Sequence, residues 1–209
     1  MSSSAGDPPS QITQPEELPP EELACCAVCN DGEWIEGDPI VFCDGCNIGV
    51  HSSCYGSPLI HHIPEGDWFC DTCKVGEHNC KCILCGRTGG AMKRTTDYQW
   101  AHINCALWIP EVFFQDPDGR DYIDYFHIPE WRWHRKCCFC NSSEGCCMLC
   151  SGTKCDCTFH VSCGIEHNIL LEYHVASSPD QQDVICGFCE THTRQMKRKS
   201  NWRGKMYKK

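Results

Sequence analysis

The chain has 209 residues, a formal net charge of −10 and 23 cysteines, while Leu, Ile, Val and Phe together supply only about 18% of it. So few large apolar residues cannot close a core unaided, so covalent or metal staples are needed. No run of about 20 apolar residues suits a membrane span, and residues 1–24 lack the basic and apolar regions of a signal peptide. A reducing compartment is therefore expected, where dense Cys/His pairs mean zinc rather than disulfides.

Residues 1–24 carry five acids and no Lys or Arg, with repeated Pro and Ser, and read as a disordered acidic N-terminus. The first module, 25–79, has the spacing Cys26-x2-Cys29-x13-Cys43-x2-Cys46-x4-His51-x2-Cys54-x15-Cys70-x2-Cys73. One Cys-x2-Cys turn aims two thiolates at a metal but cannot supply four ligands. Alternate pairs must combine, Cys26, Cys29, His51 and Cys54 around one zinc, Cys43, Cys46, Cys70 and Cys73 around another. A short strand is expected at Ile40–Phe42. Thiolates bound to zinc are not free for catalysis, and no other nucleophile–base set or phosphate loop stands out.

The second module, 80–106, holds one four-ligand set, Cys82-x2-Cys85-x16-His102-x2-Cys105. A strand is expected at Val112–Phe114, with helices after the His-x2-Cys pairs in "HINCALWI" and "HVSCGIEHN". In the third module, 107–193, eight ligands again interleave: Cys137, Cys140, His160 and Cys163 against Cys147, Cys150, Cys189 and His192. Cys186-x2-Cys189 is an alternative last pair. The total is five zinc ions, leaving Cys25, Cys80, Cys138, Cys146, Cys155, Cys157 and Cys186 as small buried hydrophobes. The fold class is a set of small zinc-stapled domains, irregular, with short strands and helices. Residues 194–209 carry eight Lys/Arg and no acid, a flexible or marginally helical basic tail.

The first ligand order, with Trp68 two residues before Cys70, resembles a PHD finger; a usual RING finger has its histidine at the fourth ligand, not the fifth. The final Cys-x2-His pair resembles an extended PHD finger. Over residues 25–193 the tandem resembles the PZP module (PHD finger, zinc knuckle, extended PHD finger) of the bromodomain-and-PHD-finger and JADE scaffolds of histone acetyltransferase complexes. The stretches "CNDGE", "IVFCDGC", "VHSSCYG", "IPEGDWFC", "GGAMKRT", "WAHINCALWIPEV" and "FHVSC" carry the likeness.

The resemblance implies a nuclear, non-enzymatic chromatin reader whose partners are the histone H3 tail and a histone-modifying enzyme complex. A tail would pair with Ile40, Val41 and Phe42 as an added strand. Asp31, Glu33, Glu36 and Asp38 would face a lysine, Asp44 an arginine, and carbonyls of the Pro64–Gly66 turn a free N-terminal ammonium. The positions where methyl-lysine readers of this class place cage aromatics are Ile40 and Gly49, leaving Trp34 as a single wall, so unmodified lysine is expected over trimethyl-lysine. Residues 137–193 hold one Lys and seven acids, so DNA contact falls instead to the tail (Lys197, Arg198, Lys199, Arg203 and Lys205, interleaved with Trp202 and Tyr207) and to Lys81, Arg87, Lys93 and Arg94 of the knuckle. The tail's bases equally suit nuclear import. The competing classes are a RING-like ubiquitin ligase and a purely structural interaction module.

Overall fold

A computed structural model describes residues 25–33, 35–176, 178 and 183–199. The expected disorder of 1–24, the role of Trp34 and the tail bases Arg203 and Lys205 lie outside the described residues. In chain order the elements are β1 (Ile40–Phe42), β2 (Gly49–His51), α1 (Ser52–Tyr55), α2 (Asp71–Lys74), β3 (Met92–Arg94), β4 (Trp100–His102), α3 (Ile103–Trp108), β5 (Phe113–Asp116), β6 (Asp121–Asp124), α4 (Glu130–Trp133), β7 (Met148–Leu149), β8 (Thr158–Phe159), α5 (Val161–Glu166), β9 (Leu171–His174), β10 (Val184–Gly187) and α6 (Glu190–Lys199). Each strand pairs antiparallel with one neighbour, giving five two-stranded sheets among the described residues. A lone two-stranded ribbon is marginal in water, so each needs something fastened to it.

The fastening is one unit used three times. A hairpin's second strand runs into a histidine, and a short helix follows at once with a cysteine in its first turn. His51, His102 and His160 occupy the N-cap positions of α1, α3 and α5 in extended conformation, with ψ of 143°, 138° and 145°. The extended cap aims the histidine ring beside the cysteine three residues on, which explains the His-x2-Cys spacing. The expected strand at Val112–Phe114 is displaced to Phe113–Asp116, because Val112 closes a turn onto the Ile109 carbonyl after α3. The tail is helical earlier than expected: α6 starts at Glu190, and buried Thr193 anchors it by accepting from Leu170 N–H and donating to the Phe188 carbonyl.

Two cores form. One holds Val28, Val50, Tyr55, Leu59 and Trp68 of the first module together with Ala91 and Ile103 of the second. The other runs from Leu84, Met92 and Trp100 through Ile109 and Ile123 to Phe159 and Leu171 of the third. The second module therefore packs into both neighbours. The β5–β6 hairpin strengthens the join, since Thr96 N–H donates to the Ile123 carbonyl and Ser57 N–H to the Asp118 carbonyl. A side chain on Gly56 would meet Asp118 O at 2.6 Å, so glycine is needed where the hairpin tip touches the first module.

Lys93 lies at the junction and is 1% exposed. Its ammonium is 2.9 Å from Asp71 Oδ2 and 3.3 Å from Asp121 Oδ1, and sits 4.4 Å from the centre of the Tyr55 ring. Three modules thus share one buried cation. Among the described residues no helix is long and apolar enough to cross a membrane.

Candidate metal centres and candidate peptide-binding edge

Among the described residues, five groups of four Cys/His side chains have ligand atoms within 4.8 Å of one another. Four match the sequence reading: Cys26, Cys29, His51, Cys54; Cys43, Cys46, Cys70, Cys73; Cys82, Cys85, His102, Cys105; and Cys137, Cys140, His160, Cys163. The pairing is interleaved in the first module, as expected from the inability of one turn to close a tetrahedron.

The fifth group corrects the reading. It is Cys150, Cys155, Cys189 and His192, with Cys155 in place of Cys147. The residues between Cys147 and Cys150 form strand β7, not a turn, and positions three apart on a strand point to opposite faces. Cys147 turns its sulfur toward the Arg135 carbonyl instead, 3.6 Å away. The chain turns after Cys150, with Cys155 N–H donating to Gly152 O, and returns a thiol to the same side. A side chain at Gly152 would meet the His192 ring at 2.4 Å. The glycine in "CSGTKC" was the available sequence signal. Cys186 lies in β10 opposite Glu172, outside the group. Of the cysteines expected as buried hydrophobes only Cys146 is fully buried; Cys25 and Cys138 are exposed, and Cys80, Cys157 and Cys186 are half-buried.

All five groups share a backbone device. The amide of the third ligand donates to the sulfur of the first: His51 to Cys26 (3.3 Å), Cys70 to Cys43 (3.1 Å), His102 to Cys82 (3.2 Å), His160 to Cys137 (3.4 Å) and Cys189 to Cys150 (3.2 Å). An N–H aimed at sulfur favours thiolate over thiol. At Cys43 burial pushes the thiol up, but the amides of Cys70, Gly45 and Cys46 outweigh it and lower the pKa to about 7. Cys189 reaches about 7 in the same way, burial being outweighed by the His192 amide and ring.

Each histidine presents Nδ1 to its group, 3.3 Å from Cys29 for His51 and 3.3 Å from Cys85 for His102. The opposite nitrogen, Nε2, faces the Glu33 carbonyl at 3.2 Å and the Gly89 carbonyl at 2.6 Å. That places the proton on Nε2 and leaves Nδ1 as the lone-pair donor. Closed four-fold sets of thiolates and imidazoles fit structural zinc, with no position left for a substrate.

The β1 edge lies beside the first two groups. Ser52 N–H donates to the Pro39 carbonyl and Cys43 N–H to the Ile48 carbonyl, while Val41 faces Val50. In that register Val41 spends its backbone groups on β2, and those of Ile40 and Phe42 point to the other side. No strand among the described residues pairs there. The outer edge of β2 is covered, since Ala27 N–H donates to the Gly49 carbonyl.

Around that edge the acids differ in availability. Glu33 and Glu36 are exposed, and Asp31 uses Oδ1 to accept the Glu33 N–H. Asp38 departs from its expected role: its carboxylate accepts from Ser52 Oγ, Ser53 N–H and Ser53 Oγ, fastening the start of α1. Asp44 is exposed; Oδ2 accepts the Trp68 N–H at 2.8 Å, and its own N–H donates to the Trp68 carbonyl. This tie brings Trp68, two residues after Gly66, to the C-terminal end of β1. Gly49 is buried, and a side chain there would meet Phe42 Cε1 at 3.0 Å and Ile40 Cγ2 at 3.2 Å, so an aromatic at that position would have to push both side chains aside.

The expected basic face of the knuckle is largely neutralised. Lys81 pairs with Glu144, Arg94 with Glu77, Arg87 with Glu166, and Lys93 is buried against its aspartates. Of the tail bases, Lys197 and Arg198 are exposed on α6, which continues to Lys199.

A cross-braced two-metal finger, a single-metal knuckle and a second cross-braced finger define the PHD finger–knuckle–extended PHD class of zinc module. The chain belongs to the PHD-zinc-finger-like family, whose model matches residues 80–192, and a PHD-finger model matches residues 37–74. It is similar to the crystal structure titled zebrafish PHF14-PZP, with a TM-score of 0.62 and 31% identity over 84% of this chain and 93% of that one. It is 40% identical to Protein Jade-1 of Xenopus laevis over 174 residues, covering 82% of this chain and 20% of that protein. It is 39% identical to E3 ubiquitin-protein ligase Jade-2 of Homo sapiens over 175 residues, covering 83% and 21%. The chain spans about a fifth of the length of these two relatives.

Proposed function

We propose that this chain is a nuclear, non-enzymatic chromatin reader that binds the unmodified N-terminal tail of histone H3. The observation that carries the reading is the unpaired β1 edge, with charge placed in order along it. A peptide adding antiparallel puts its N-terminus at the C-terminal end of β1. There the carbonyls of the Pro64–Gly66 turn receive the free ammonium and Asp44 receives an arginine. Further along the peptide, Asp31, Glu33 and Glu36 receive a lysine, while Ile40 and Phe42 supply the backbone hydrogen bonds. The five metal groups hold zinc and fix this edge; they take no part in chemistry.

Calorimetry with unmodified and lysine-trimethylated H3 N-terminal peptides tests the proposal. The unmodified peptide should bind at roughly micromolar Kd, about −8 kcal/mol. Tighter binding of the trimethylated form, or no binding of either, overturns it.

A basic helix α6, with further bases after it, suits phosphate contact and makes DNA a second partner. Assembly with a histone-modifying enzyme complex belongs to the same reading. The similarity to a relative named as a ubiquitin ligase favours one other function, transfer of ubiquitin. An autoubiquitination assay with the purified chain separates the two, since a reader gives no product.

A further inference from the structure

The β5–β6 hairpin turns one face toward Lys93 and leaves aromatic rings outside. Phe113 is 56% exposed and Phe126 is 63% exposed, large values for side chains of this kind. Phe113 stands directly across from Asp124 in the sheet register, so their side chains share a face. The His127 ring meets Phe113 edge-on at 6.3 Å. Phe126 stacks on Tyr125 at 5.0 Å, and its N–H donates to Asp124 Oδ1 at 3.1 Å. One carboxylate therefore shares a face with Phe113, against which His127 packs, and holds the Phe126 amide with one of its two oxygens.

The charge of this segment is mostly negative. Residues 111–128 contain Glu111, Asp116, Asp118, Asp121 and Asp124 against Arg120 alone. Two of the other acids hold cations: Glu111 receives Arg132 and Asp121 receives Lys93, while Asp116 accepts the Gly119 N–H. For Asp124 the described contact is an amide, not a cation. Aromatic faces and a carboxylate together suit a cation with apolar flanks, because ring quadrupoles and the carboxylate attract the same charge.

We propose that Phe113, Asp124, Phe126 and His127 form a second peptide-docking surface, which takes a lysine side chain from a basic segment of another protein. It is separate from the β1 edge and needs no free N-terminus.

The test uses the full zinc-loaded chain and three hexapeptides with blocked ends, glycine alternating with lysine, trimethyl-lysine or norleucine. Blocking removes the ammonium that the β1 edge would use. Amide NMR shifts should move at Phe113, Asp124, Phe126 and His127 with the lysine peptide and stay still with norleucine. Trimethylation should leave affinity within about twofold, since ring faces respond to charge rather than to N–H. Asp124→Asn keeps an oxygen for the Phe126 amide and should weaken binding about fivefold, as should Phe126→Leu, with Glu144→Gln, at the exposed partner of Lys81, as a variant that leaves it unchanged. Unchanged zinc content and melting temperature verify the fold of each variant. Equal binding of the norleucine peptide, shifts confined to the β1 edge, or an Asp124→Asn variant that binds like the parent each overturns the proposal.

Discussion

Replacing Lys93 by Met tests whether the modules fold as one body. Met preserves most of the volume and removes the charge. The ammonium lies 2.9 Å from Asp71 and 3.3 Å from Asp121, with the Ser57 carbonyl at 3.4 Å. At an effective dielectric constant of about 20, these separations correspond to about 6 and 5 kcal/mol of gross attraction. Much of that is offset by the cost of taking the ammonium out of water. Removing one partner of a buried pair typically costs about 3–5 kcal/mol, because the other charge is left unmatched. The two carboxylates retain 23% and 31% of their side-chain exposure and can rehydrate in part, which points to about 2–3 kcal/mol. Asp71 is the principal counter-ion: burial alone would raise its pKa, yet Lys93 and Lys74 hold it below the ordinary carboxylate range. Asp121 is raised instead, first by burial and further by the Asp71 charge, against the pull of Lys93. Urea titration of parent and variant at saturating zinc measures the difference. A loss below about 0.5 kcal/mol would refute the argument that this cation welds the first module to the hairpin.

Metal analysis should return five zincs per chain for the parent, four for Cys155→Ser and five for Cys147→Ser; the reverse order would reinstate Cys147 as a ligand. Chelation should unfold the chain cooperatively, with loss of near-ultraviolet dichroism, since each structural zinc contributes on the order of 10 kcal/mol. Asp38→Ala should lower stability by about 1–3 kcal/mol through loss of its three hydrogen bonds to Ser52 and Ser53. Glu33→Gln with Glu36→Gln should instead leave the melting temperature unchanged and weaken tail binding in calorimetry. Truncation after Lys199 keeps α6 and removes Arg203 and Lys205; the slope of DNA affinity against salt should become shallower, and an unchanged slope would exclude those bases.

Much of the molecule was legible from spacing alone. Cys-x2-Cys and His-x2-Cys pairs are local geometry: two ligands fit one metal only if a turn or a helix N-terminus separates them, and that requirement is written in the interval. Four of the five groups and the interleaving in the first module followed from it. The fifth group did not, because Cys147 and Cys155 lie on either side of Cys150 and both intervals look permissible. The choice rests on β7 pairing with β8, a contact between residues about ten apart, which holds Met148–Leu149 extended and turns Cys147 away.

Side-chain roles divided in the same way. The sequence by itself determined that zinc rather than apolar burial closes this chain, because cysteine is abundant and large aliphatic residues are scarce. Only the tertiary structure decided what its charges do. Asp38 fastens a helix start and Lys93 is buried, while the bases of the knuckle are matched to acids as far as 79 residues away along the chain. A charge is committed or available according to what packs beside it, and that neighbour is rarely near in sequence.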